Sequence, residues 1–145
     1  MQTGTPALTV MAFDYGTKRI GIAVGQTVSR TATALQVVAA VDGQPRWNEI
    51  ADLVAQWAPD LFVVGMPTTQ DEQAHSLSEA ITRFSRRLTG RYKRPVEFID
   101  EHLSSFAASD DDQAHSNGLD AVAAKMILLT WLDDLPNINK VASTQ

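Results

Sequence analysis

The spacing of apolar residues changes several times along this chain, and each change predicts an element. Residues 8–13 are nearly continuously apolar (Leu8, Val10, Met11, Ala12, Phe13), as in a strand covered on both faces. Residues 20–25 alternate instead. Ile20, Ile22 and Val24 share one face, and Gly21, Ala23 and Gly25 the other, where another backbone or a ligand could come close. Only a short turn separates the two runs, which predicts an antiparallel hairpin. Residues 31–41 are β-branched and alanine-rich, and Asp42-Gly43 then signals a turn. Three meandering strands form the expected opening.

From Arg46 the period becomes helical, with Trp47, Ile50, Val54 and Trp57 on one stripe until Pro59 stops it. Residues 61–66 are a short, solidly apolar strand ending at Pro67. A second helical stripe, Ala74, Leu77, Ile81, Phe84 and Leu88, ends near Gly90, with Arg83, Arg86 and Arg87 on its other face. Residues 96–99 read as a strand that ends in Asp100-Glu101. A short helix over 103–109 and a polar loop over 110–117 follow. The last helix, from about 119 to 135, is expected to turn Val122, Ala123, Met126, Ile127 and Trp131 inward, with Pro136 after it. The three tryptophans read as core.

At 145 residues the chain is expected to form one domain over 7–136, with flexible tails at 1–6 and 137–145. No apolar run approaches the ~20 residues of a membrane span, and the N-terminal residues lack a secretory pattern. There are no cysteines, which excludes disulfides, thiol catalysis and Cys-based zinc sites. These features fit a cytoplasmic location. The net charge of −5 speaks against indiscriminate nucleic-acid binding. Half of the Lys and Arg nevertheless lie between Arg83 and Arg94, which permits a local basic face.

Three acidic positions carry the candidate chemistry. Asp14 and Asp100-Glu101 stand at the carboxyl ends of strands, and Asp120 opens the last helix. In open α/β sheets ligands bind beyond those strand ends. If the first strand and the 96–99 strand run parallel and close, Asp14 and Glu101 share one rim, and Asp120 could reach it. Like charges ~4 Å apart repel by roughly 4 kcal/mol at an effective dielectric near 20. Such a cluster either takes up protons or holds a cation, and all-oxygen ligands favour Mg²⁺ or Mn²⁺. Taken singly, each acid has a plainer reading. Asp14 could form a turn with Gly16 and pair with Lys18 or Arg19, Glu101 could cap a helix, and Asp120 suits a first helical turn. The arginine cluster could be a solvated face. His75, His102 and His115 show no ligand spacing. Only the joint arrangement points to function.

Four blocks in order resemble the YqgF (RuvX) family, described both as Holliday junction resolvases and as pre-16S ribosomal RNA nucleases. Residues 13–25, Phe-Asp-Tyr-Gly-Thr-Lys-Arg-Ile-Gly-Ile-Ala-Val-Gly, are similar to the family's D-Y-G-x-K-R-I-G-x-A block. Val63-Val64-Gly65-Met66-Pro67 is similar to V-V-G-x-P. Asp100-Glu101-His102-Leu103-Ser104-Ser105 resembles D-E-R-L-[ST]-[ST], and Asp120-Ala121-Val122-Ala123-Ala124 resembles D-x-x-A-A. The resemblance implies an α/β, ribonuclease H-like fold. Its sheet would be mixed and five-stranded, with the first three strands antiparallel and helices on both faces. It further implies Asp14, Glu101 and Asp120 as catalytic, metal-binding carboxylates, with Asp100 as a further ligand. Gly16, Lys18, Arg19 and Gly21 would meet substrate phosphate; independently of the resemblance, Arg83, Arg86 and Arg87 of the basic helix face are candidate substrate contacts.

The implied activity is Mg²⁺- or Mn²⁺-dependent endonucleolytic hydrolysis of structured RNA, in maturation of the 5′ end of pre-16S rRNA. The implied partners are precursor rRNA or branched DNA and the ribosome or its precursor, with the chain a monomer or a homodimer. Junction resolution would need a two-fold dimer. The sequence departs from the family pattern at His102, where Arg is usual, at Glu72, where Gly is usual, and in its acidic residues 110–112. Those departures motivate the alternative of a catalytically weak nucleic-acid or ribosome-binding module. An actin-like ATPase, suggested by the Asp14-Tyr15-Gly16-Thr17 loop, would require a second domain.

Overall fold

The computed structural model describes residues 7–67, 72–100 and 119–135, with the side chains of Gln73, Leu119 and Asp120 outside the description. The expected helix at 103–109, the loop at 110–117 and both tails lie outside the described residues. The elements run β1 (Thr9–Tyr15), β2 (Arg19–Gln26), β3 (Thr31–Val41), β4 (Gln44–Pro45), α1 (Trp47–Trp57), β5 (Leu61–Met66), α2 (Glu72–Tyr92), β6 (Val96–Asp100) and α3 (Leu119–Asp133).

Among the described residues the strands form one mixed sheet in the order β4-β3-β2-β1-β5-β6. β1, β2 and β3 pair antiparallel, whereas β5 runs parallel to both β1 and β6. The expected five strands are therefore six. The additional one arises because Asp42 (φ 51°) and Gly43 (φ 77°) both take left-handed backbone conformations. Two successive positive φ values make a tight hairpin turn, so Gln44 and Pro45 return to pair with Val41 and Ala40.

Strand periodicity divides the core into two layers. On one face Met11, Phe13 and Tyr15 of β1 pack with Phe62 and Val64 of β5, beneath Ile50 and Leu53 of α1 and Ile81, Phe84 and Leu88 of α2. On the other face Val10, Ala12, Ala23, Leu61, Val63 and Ile99 meet Ala124, Ile127, Leu128, Trp131 and Leu132 of α3. Helices thus cover both faces of the sheet. α2 is the crossover between the parallel neighbours β5 and β6, the ordinary βαβ solution.

The small-residue face of β2 is occupied by α3. A Cβ on Gly25 would collide with the carbonyl oxygen of Thr31 and lie 2.9 Å from Leu128 Cδ2. α3 also corrects one expectation, because Val122 is 43% exposed while Ala121 and Ala124 face inward. The helix is apolar nearly all round, so its sequence shows no stripe to orient it. α2 runs past Gly90 to Tyr92 and ends where Lys93 turns left-handed (φ 58°) and donates its N–H to Thr89 O. At the far end of α3, Arg30 Nη1 donates to the carbonyl oxygen of Leu132 at 3.1 Å, a cation placed on the negative end of the helix.

Candidate active site

The site is set by what lies beside Asp14. β1 continues two residues beyond Phe13, so Asp14 belongs to the strand itself rather than to the turn after it. Alternation gives Asp14 the parity of Val10 and Ala12, hence the α3 face, and Tyr15 the parity of Met11 and Phe13, hence the α1/α2 face. Asp14 is half-buried. Its cross-strand partner on β2 is Gly21. On the other side, β1 and β5 run in register to Phe13↔Val64, so the next residue of β5, Gly65, comes level with Asp14. Glycine at both cross-strand positions places no Cβ directly beside Asp14 on β2 or β5. That leaves room for a substrate group or a cation at the carboxyl ends of β1, β5 and β6.

The loop that follows is tightly specified. Gly16 cannot carry a side chain, since a Cβ there would sit 2.7 Å from the carbonyl oxygen of Arg19. Gly43 N–H donates to Thr17 O at 3.1 Å, and Ala40 N–H donates to Lys18 O at 2.9 Å, so the loop is stitched to the β3–β4 turn. Tyr15 Oη donates to Gly43 O at 3.0 Å and secures the same turn from below. Burial pushes the Tyr15 hydroxyl above its ordinary pKa of 10.0, opposed by the nearby Arg83 and Arg87. Lys18 and Arg19 are exposed on the rim.

The other expected residues distribute as follows. Asp100 ends β6 and is exposed. Glu97 and Ile99 face α3, as the bond from Trp131 to Glu97 and the packing of Ile99 show, so Asp100 shares the parity of Val96, on the side opposite Asp14. Glu101 lies outside the described residues. Asp120 is in the first turn of α3, on the Asp14 side of the sheet, with its side chain outside the description. Among the described residues no three His, Asp or Glu side chains gather into a metal-binding group.

Of the basic residues on α2, Arg83 and Arg87 line a cleft of about 170 Å³ together with Tyr15, Thr17, Asp42, Gly43 and Gln44. Arg86 does not line this cleft; it flanks a shallow neighbouring surface with His75, Ser78, Glu79 and Thr82, which Arg83 also borders. The sequence did not mark Tyr15, Gln44 or Gly65 as site residues. Tyr15 reads as core by alternation, and Gln44 is brought in only by the hairpin.

A family model described as "RuvX: Holliday junction resolvase" matches residues 8–134. The chain belongs to the RuvX family. Its relatives in the family include a protein of Hydrogenovibrio crunogenus named "Putative pre-16S rRNA nuclease". That protein is 44% identical over 87% of this chain and 94% of its own length. A protein of Nitrosococcus oceani with the same name is 42% identical over 89% of each chain. RuvX is thus a nuclease family by the names its members carry. The fold is also that of Thermus thermophilus RuvC, solved in complex with a Holliday junction substrate. It matches with a TM-score of 0.56 at 13% identity, over 86% of this chain and 93% of that one. The ribonuclease H-like architecture expected of a RuvX-family chain is the one observed, with β4 as an added edge. No helix among the described residues of this RuvX-family chain is long and apolar enough to cross a membrane.

Proposed function

We propose that this chain is an endonuclease that hydrolyses phosphodiester bonds in structured RNA with the help of Mg²⁺ or Mn²⁺, acting on the 5′ end of pre-16S rRNA. The observation that carries the reading is Asp14 between Gly21 and Gly65 at the carboxyl end of β1. A half-buried carboxylate at a strand end, with glycine as its cross-strand neighbour on either side, has space beside it for a cation, and a cation favours its ionised form. The proposed donor set is Asp14, Glu101 and Asp120, an all-oxygen set suited to Mg²⁺ or Mn²⁺; Asp100, turned to the opposite face of β6, is left out of it. Neighbouring strands are spaced ~4.8 Å apart, so β1 and β6 stand roughly 10 Å from each other with Gly65 between them. Carboxylates approaching from both sides can therefore share the space above Gly65. A bound ion supplies Lewis-acid polarisation of the phosphodiester and lowers the pKa of water.

In this reading the protein's own residues position the substrate. Lys18 and Arg19 offer cations at the rim, while Gly16 and Gly21 let a phosphate approach the backbone closely. Arg83, Arg86 and Arg87 extend the positive surface along α2. The names of the relatives favour precursor rRNA as the substrate. The family description favours branched DNA as the second reading, and that chemistry requires two paired sites. Both are tested by incubating the purified protein with precursor rRNA and with a four-way DNA junction, with Mg²⁺, with Mn²⁺ and with chelator. Metal-dependent cleavage of the RNA, lost in Asp14→Asn, is the expected result. Intact substrates under every condition would leave only a binding module.

A further inference from the structure

The cleft on the α1/α2 face is separate from the acids, and its chemistry is that of an anion site. Arg83 and Arg87 stand one helical turn apart on α2, where like charges repel. Among the described residues neither forms an ion pair with a carboxylate. Arg87 Nη1 is held by Gln44 Oε1 at 2.8 Å, which aims the guanidinium along the cleft and leaves the Gln44 amide NH₂ as a donor. Both arginines line the cleft with Tyr15, and their charge opposes the effect of burial on its hydroxyl. Thr17 adds a hydroxyl from the loop that follows Asp14, and Asp42 is the single acid on the lining. At about 170 Å³ the space is well below the ~300–1,000 Å³ of sites that enclose a whole organic ligand, and suits one tetrahedral anion.

Its position gives the anion a source. Tyr15 and Asp14 are consecutive residues on opposite faces of β1, so the cleft and the acid site are the two sides of one rim, joined by Gly16–Lys18. We infer that Arg83, Arg87, Thr17 and Gln44 hold a backbone phosphate of a single-stranded flank of the substrate, one that crosses the rim from the scissile phosphate at Asp14. Guanidinium forks are the side chains best matched to phosphate oxygens. The inference rests on the nuclease reading for the identity of the substrate. The cleft binds without metal, however, and so can be tested without cleavage.

The test uses full-length Asp14→Asn protein in chelator, with a short oligouridylate and inorganic phosphate as probes. Arg83→Gln/Arg87→Gln is expected to weaken oligonucleotide binding about tenfold and to reduce the slope of log K against log salt by about 0.7 per lost phosphate contact. Arg94→Gln, which removes a charge beyond the end of the same helix, is expected to change affinity about twofold or less. In amide NMR spectra, both probes should shift Gly43 and Gln44. Equal weakening by Arg94→Gln would overturn the inference in favour of a diffuse charged face. Phosphate shifts without any arginine dependence of oligonucleotide binding would overturn it in favour of a free-anion site. Cleavage that fails while arginine-dependent binding persists would refute the nuclease reading and spare the subsite.

Discussion

The indole Nε1–H of Trp131 donates to Glu97 Oε1 at 3.0 Å, tying the C-terminal half of α3 to the strand that ends at Asp100. This bond, with Ile99 packed on the same layer, holds β6 and α3 in one relative position. Glu97→Ala is expected to lower unfolding free energy by about 1 kcal/mol, because a hydrogen bond is lost from a partly buried indole. Glu97→Gln keeps an acceptor and should lose less. Urea denaturation of the two variants separates them, and equal losses would show that charge rather than the hydrogen bond matters.

Gly25→Ala should destabilise by about 1–3 kcal/mol, the usual cost of overpacking. The obstacle is partly backbone, the Thr31 carbonyl, and partly Leu128 on α3, so no single rotamer change relieves it. Thermal unfolding provides the readout. A fully stable variant would mean that α3 sits further from β2 than described.

Asp14→Asn should leave the fold intact and reduce metal-dependent cleavage by at least about 100-fold. Even partners that only orient metal ligands cost ~10–100-fold when removed. Comparison of single-turnover rates at saturating Mg²⁺ checks this. An undiminished rate would remove Asp14 from the chemistry.

Stability should fall at alkaline pH through Tyr15 and Tyr92. Burial raises both hydroxyls above their ordinary value of 10.0, with Arg83 and Arg87 opposing at Tyr15 and Arg91 at Tyr92. A raised pKa means that the folded state keeps its proton longer than the unfolded chain. The stabilisation is therefore complete below pH 10.0 and is lost as pH rises from there through the higher folded values. Tyr15→Phe should flatten part of that alkaline decline in Tm. It should also cost about 1 kcal/mol at neutral pH, where the bond to Gly43 O is lost. An unchanged alkaline limb would sink this account.

Periodicity alone located most elements because each buries a face with a regular repeat. Residues 61–66 and 31–41 have the expected strand limits, and α1 begins after Arg46 and ends before Pro59. What failed had no local signal. Val122 was misassigned because α3 is apolar on every side, leaving its orientation to the small residues of β2. β4 was missed because two residues have no period, and it exists through the backbone conformations of Asp42 and Gly43. At the site, the β1–β2 hairpin is legible from its short turn, but the register that sets Asp14 opposite Gly21 comes from the structure, and Gly65 enters only through parallel pairing, which no short-range pattern encodes. That Arg83 and Arg87, but not Arg86, line the cleft follows only once the β3–β4 turn folds over α2.

Because α3 alone supplies the helical cover for Val10, Ala12, Ala23 and Val63 among the described residues, the order of synthesis has a cost. A ribosome that has released the chain as far as β6 has exposed one finished side of the sheet and one bare apolar side. Until the last helix arrives, that side is available to chaperones or to other nascent chains, as in partly folded intermediates generally. Arg30, waiting in the β2–β3 turn more than a hundred residues upstream of its acceptor Leu132, then locks the late-arriving helix in place.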